Sequence, residues 1–222
     1  MIAARRPAVG PVPLDSVMQR SQLWIDVIPD AEATGRLREL YDRIRGPDGS
    51  IDNIMLAHGL RPHTMEGHLA LYKSVLHHAR NALPRWLLET AGVYASLLNG
   101  CAYCVEHHFA GLRRLLRDDA RADVIRTALE QDRPEDAFAG RELALLRYAA
   151  ALTLRPAEMD ETLVTAMRAH GMSDGEILEI NQVVAYFAYA NRTVLGLGVT
   201  TEGDTLGLSP NATDDPSDWG HR

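Results

Sequence analysis

Cysteine occurs twice in this 222-residue chain and lysine once. Two cysteines cannot staple a disulfide-rich secreted scaffold. The lone lysine, Lys73, leaves nearly all positive charge to arginine, and 23 basic residues face 30 acidic ones, a formal net charge of −7. No run of four or more basic residues occurs, and none alternates with aromatics. A dedicated nucleic-acid surface is therefore not expected, because neutralising phosphates needs a basic face. No apolar stretch reaches the roughly 18 residues that suggest a membrane span. The opening MIAARRPAVGPVPLDS lacks the continuous apolar segment of a signal peptide. A cytoplasmic protein that binds neither membrane nor nucleic acid is expected. Thiols are kept reduced in that compartment, so a cysteine pair is more readily reactive or metal-binding than structural.

What is present is helical patterning. Residues 1–20 read as an extended, proline-rich arm, and residues 203–222, rich in Asp, Pro, Gly and Ser, as a mobile polar tail. Between them, acidic residues early and arginines late mark a helix over about residues 31–45 that Gly46-Pro47 ends. SIDNIMLAHGL suits a short helix and RPHTMEGHLALYKSVLHHAR a longer one. In LPRWLLETAGVYASLLNG, Pro84 suits a first turn and Asn99-Gly100 an end. GRELALLRYAAALTLRP and EMDETLVTAMRAHG are amphipathic, and Ser173 and Glu176 have capping-box spacing before a long last helix. No segment alternates as a strand would, which gives an all-α domain of about eight helices. Shifting the chain by 90 residues sets Glu89 over Glu179 and Leu88, Val93 and Ala95 over identical residues, a weak sign of an internal helical repeat.

Both cysteines lie in LLETAGVYASLLNGCAYCVEHHFAG. If Gly100 closes one helix, Cys101 opens the next, and Cys101, Cys104, His108, Gly111 and Leu115 then share a stripe about 80° wide. Gly111 would let a neighbouring helix approach closely. Free backbone N–H groups of a first turn favour a thiolate, and His108, one turn past Cys104, can take up or return a proton. Cysteines three apart can close a short disulfide, so one sulfur can resolve oxidation of the other. Glu89 sits mid-helix in the preceding segment. In an antiparallel hairpin it would reach the level of His108 and orient it or serve as a base.

Other readings of the pair stand beside the redox one. A zinc site could use Cys101, Cys104 and His108 but lacks an evident fourth ligand, and the pair could be inert. His107 lies at another helical angle and reads as a surface histidine. His58, His63 and His68 recur every five residues, with His77-His78 after them, and spiral rather than cluster; they too read as surface or interface residues. Tyr186, Phe187 and Tyr189 read as core or as the wall of an apolar pocket. Asn191 falls opposite Cys101 in the repeat alignment.

Glu89, eleven residues, Cys101-Ala102-Tyr103-Cys104, three residues and His108 resemble the E-x(11)-C-x-x-C-x-x-x-H signature of the alkylhydroperoxidase AhpD-like family, whose fold the carboxymuconolactone decarboxylases share. IDNIMLAHGLRPHTMEGHLALYKSVL and YFAYANRTVLGLGV resemble the peroxidase-related branch, so the likeness spans residues 21–200, with 201–222 beyond it. The resemblance implies an all-helical thiol peroxidase that needs no cofactor or metal. In it Cys104 attacks a small hydroperoxide, Cys101 resolves, and Glu89 and His108 relay protons. It also implies an external dithiol reductant, lipoyl or thioredoxin-like, and a homo-oligomer, trimer or hexamer. Tyr103 departs from the histidine that founding members carry there. A cofactor-free decarboxylase or isomerase on the same fold, and a zinc-stabilised or redox-sensing interaction module, are the alternatives.

Overall fold

The computed structural model describes residues 23–215 and 217–220. The expected arm over residues 1–20 lies outside them. Nine α-helices form among the described residues: α1 (Gly35–Ile44), α2 (Asn53–Leu56), α3 (Pro62–Leu76), α4 (Arg85–Leu98), α5 (Ala102–Leu116), α6 (Asp119–Glu130), α7 (Gly140–Leu154), α8 (Glu161–Ala169) and α9 (Asp174–Leu197). There is no strand among the described residues. One isolated backbone bridge joins His78 to Thr213. No described helix is long and apolar enough to cross a membrane. The all-α expectation holds, and α6, with its Asp118 cap bonded to the Arg121 N–H at 3.0 Å, is the helix that the sequence reading passed over.

α4 is the centre of the molecule. Every residue from Leu87 to Ser96 is buried, which no amphipathic surface helix would show. α5, α7 and α9 pack around it. α9 crosses closely at Gly92, where an added Cβ would collide with the Phe187 ring. Glu179 of α9 also accepts the backbone N–H groups of Ala82 and Leu83 at 2.8 and 2.9 Å, holding the chain that enters α4. Glu89 and Glu179, paired in the repeat alignment, thus have different partners. The Ser173–Glu176 capping box opens α9, and Gly198, at φ 67°, closes it.

The hairpin that matters for chemistry is α4–α5. Gly100, at φ 71°, turns the chain in a left-handed conformation that glycine adopts freely. Cys101 then becomes the N-cap residue of α5, with Cys104 in its first turn.

Where the composition suggests a polar tail, residues 199–215 and 217–220 lie as a strap along α3 and α5, with Trp219 6% exposed and stacked on Tyr72 at 5.9 Å between ring centres. Arg114 donates to the carbonyls of Gly207 and Leu206 at 2.6 and 2.8 Å, and Arg85 to Ser209 Oγ at 3.2 Å. Gly207, at φ 76°, sits so close to α5 that an added Cβ would lie 2.8 Å from the backbone of Ala110 and Gly111. The close approach expected at Gly111 is thus made by the strap, not by a helix. The composition misleads here because backbone carbonyls, which any residue supplies, bind the strap to Arg114 and to the buried Lys73.

Candidate functional site

The α4–α5 hairpin brings Glu89 and His108, nineteen positions apart, to 2.7 Å between Oε2 and Nδ1. Glu89 is 3% exposed. Its other oxygen faces His77, with Oε1 4.0 Å from Nε2. Phe187 packs edge-on against His108 at 4.6 Å, which fixes the imidazole plane.

Cys101 and Cys104 are both buried and unbridged, with sulfurs 3.0 Å apart. They differ in outlook. Cys104 lines a pocket of about 70 Å³, together with Glu89, His108, His68, Tyr72, Tyr103 and Tyr186, whereas Cys101 is not among its lining residues and is 0% exposed. The pair titrates as a unit. The hydrogen bond with Cys104 pulls the Cys101 thiol below its ordinary value. That same bond, with burial, pushes Cys104 up. Loss of the first proton is eased because the remaining thiol and the Asn191 amide can solvate the thiolate. Asn191 is itself buried and fixed, donating to Ser96 Oγ at 3.0 Å and accepting from Asn99 Nδ2 at 2.9 Å.

Tyr103, between the two cysteines, is built into a second cluster. Its hydroxyl donates to Asp204 of the strap at 2.7 Å and accepts the Ile54 N–H at 3.2 Å. His107 Nε2 lies 3.1 Å from the same Asp204 oxygen, and the Asn53 N–H donates to both oxygens of that carboxylate. Burial raises the Tyr103 phenol well above its ordinary value, so at neutral pH it serves as a hydrogen-bond donor. His107, expected at the surface, is buried.

Other expectations are corrected as well. His58, His68 and His77 are buried, and the rings of His58 and His68 meet at a tilt, 5.1 Å between centres. Burial first, then His58 and His108, push His68 down to about 3. Burial likewise lowers His58 and, far more, His77. An interval of five places such residues on different sides of a helix, and only the packing around α3 reveals that these sides are covered. Of the three aromatics on α9, Tyr186 lines the pocket, Phe187 packs behind His108, and Tyr189 is 39% exposed. Among the described residues no group of three or more His, Cys, Asp or Glu is arranged to hold a metal ion. Asp204 and the pocket-lining part of the strap escaped the sequence reading altogether. The signals available were Trp219 in an otherwise polar tail and the isolated Lys73.

No protein-family model and no curated protein matches the chain. Solved structures do. The AhpD-core, peroxidase-related protein of Ralstonia eutropha JMP134 superposes with a TM-score of 0.72 at 23% identity, covering 82% of this chain and 93% of its own. A peroxidase-related protein of Silicibacter sp. TM1040 gives 0.66 at 23% identity over 79% of this chain and 87% of its own. The debrominase Bmp8 gives 0.64 at 19% identity over 82% and 92%; a variant of it has been solved with 2,3,4-tribromopyrrole. The chain therefore has the all-α AhpD-core fold.

Proposed function

We propose that the chain is a thiol-dependent hydroperoxide reductase of the AhpD-like kind, with Cys104 attacking and Cys101 resolving. One observation carries the reading: the sulfur facing the pocket has a second sulfur 3.0 Å away, and the Glu89–His108 pair lines the same pocket. Access supports this division of roles: Cys101 is the more acidic thiol, but of the two only Cys104 lines the pocket.

As the hydroperoxide enters, Cys104 passes its proton to the Glu89–His108 pair and attacks the distal peroxide oxygen. The O–O bond breaks, His108 protonates the leaving alkoxide, and Cys104 becomes a sulfenic acid. Cys101 then attacks the Cys104 sulfur, and its proton leaves with the hydroxyl as water. Two electrons and two protons reach the peroxide, giving an alcohol, water and a Cys101–Cys104 disulfide. An external dithiol, lipoyl or thioredoxin-like, reopens it by exchange. On this reading the enzyme is cytoplasmic, needs no metal or cofactor, and works as a trimer or hexamer.

Dithiol-dependent consumption of cumene hydroperoxide tests the proposal. Wild type turns over, Cys104→Ser does not, and Cys101→Ser accumulates a sulfenic acid on Cys104. A fully reduced, metal-free wild type without turnover contradicts it. The debrominase fold and the aromatic pocket favour one second reading, in which the same dithiol reduces a halogenated aromatic. Bromide release from 2,3,4-tribromopyrrole, abolished by Cys104→Ser, would support that instead. A cofactor-free decarboxylase would be indifferent to both Cys→Ser changes.

A further inference from the structure

The strap forms part of the wall of the pocket that Cys104 lines, contributing Gly207, Leu208, Ser209, Pro210 and Trp219. Trp219 is the largest of these, and it lies on Tyr72, which also lines the pocket and meets His108 edge-on at 6.1 Å.

The strap is held by a costly device. Lys73 is the only lysine in the chain and is 1% exposed. Its ammonium donates to the carbonyl of Asn211 and, at 2.6 Å, to that of Asp218. Burying an ammonium is expensive unless its donors are used. Here two of them fasten the strap at both ends of the stretch leading to Trp219. The Asn211 N–H in turn donates to the Gly220 carbonyl at 2.9 Å, closing a loop around the clamp. Asp204, bonded to Tyr103 and to the Asn53 N–H, pins the start of the strap next to Cys104.

We propose that Trp219 is a specificity-determining residue, closing the outer wall of the thiol pocket so that compact molecules reach Cys104 and bulky ones do not, with Lys73 as the positioning residue that seats it. Its part in turnover rests on the hydroperoxide reading above, but its control of access to the sulfur does not. An indole lying flat on Tyr72 offers an apolar face to a small alkyl or aryl group next to the reacting oxygen. A long acyl chain meets the same face as a barrier.

Two measurements test this on the full-length reduced protein. The first is the rate of Cys104 alkylation by iodoacetamide and by a bulky fluorescent maleimide, with no peroxide present. The second is the ratio of kcat/KM for linoleic acid hydroperoxide to that for cumene hydroperoxide. Trp219→Ala and Lys73→Met should raise both the maleimide-to-iodoacetamide ratio and the substrate ratio by about tenfold or more. Trp219→Phe, which keeps an aromatic face, should stay close to wild type. Folding of each variant is checked by near-ultraviolet circular dichroism, and Trp219→Phe keeps the comparison valid where the alanine variant is unstable. Labelling ratios that do not differ between wild type, Trp219→Ala and Lys73→Met overturn the proposal whatever the peroxide assay shows. A raised labelling ratio with no turnover of any hydroperoxide upholds the gate and overturns the reaction assigned to it.

Discussion

At the residue scale, the candidate site is built of pairs. In the proposed reaction Glu89 orients His108 as the carboxylate does in any carboxylate–imidazole couple, so replacing it should cost rate rather than fold. Glu89→Gln keeps the size and one acceptor but cannot balance a protonated imidazole. Its kcat/KM for cumene hydroperoxide should fall about 100-fold or more, within the range for a lost acid–base partner, with a melting temperature near wild type. An unchanged kcat/KM would remove Glu89 from the relay. The buried histidines give a different readout. His68 is held down at about 3, against about 6.5 for an unfolded histidine. Below pH 6.5 the unfolded chain takes up a proton that the folded one refuses, so stability is whole above that pH and drains away as pH falls toward 3. Each such histidine contributes a slope of up to about 1.4 kcal/mol per pH unit, and His58 and His77 act in the same direction. Urea unfolding at pH 7.5, 6 and 5 should show the loss, and His68→Phe should flatten it. Wild-type stability that is level across that range contradicts the burial of these imidazoles.

At the element scale, two changes on or against α9 separate packing from chemistry. Gly92→Ala drives a methyl into the Phe187 ring, the ring that seats His108. Overpacking of this kind costs about 1–3 kcal/mol. Gly92→Ala should therefore lose both stability and peroxidase rate. Ser173→Ala removes the capping box at the far end of the same helix, worth about 1 kcal/mol, and should lower the melting temperature while leaving the rate unchanged. Equal effects on rate from both variants would break the link between Phe187 packing and His108. The elements themselves were largely legible. Proline, glycine and capping signals located α4, α5 and α9 because those signals are local. The spacing of Glu89, Cys101, Cys104 and His108 implied a hairpin that the distance between Glu89 and His108 matches. Whether a helix face is covered is not local, and for that reason the buried His58, His68 and His77 read as surface residues while the exposed His63 reads correctly.

At the scale of the whole molecule, the least legible feature was the strap. Residues 201–215 and 217–220 have the composition of a solvated tail, yet they help line the pocket, supply Asp204 to Tyr103 and His107, and accept from Lys73. What binds them is mostly backbone carbonyl and one aromatic ring, and composition weighs neither. The result is a thiol couple backed by α4 and α9, with strap residues lining the pocket that Cys104 faces. A single turnover is the most direct test of the central claim. Fully reduced protein is mixed with one equivalent of cumene hydroperoxide and no external thiol, and intact mass and cumyl alcohol are measured together. The account predicts one equivalent of alcohol, loss of two hydrogens from the protein and a Cys101–Cys104 disulfide on peptide mapping. Unchanged mass with the hydroperoxide recovered intact would contradict it.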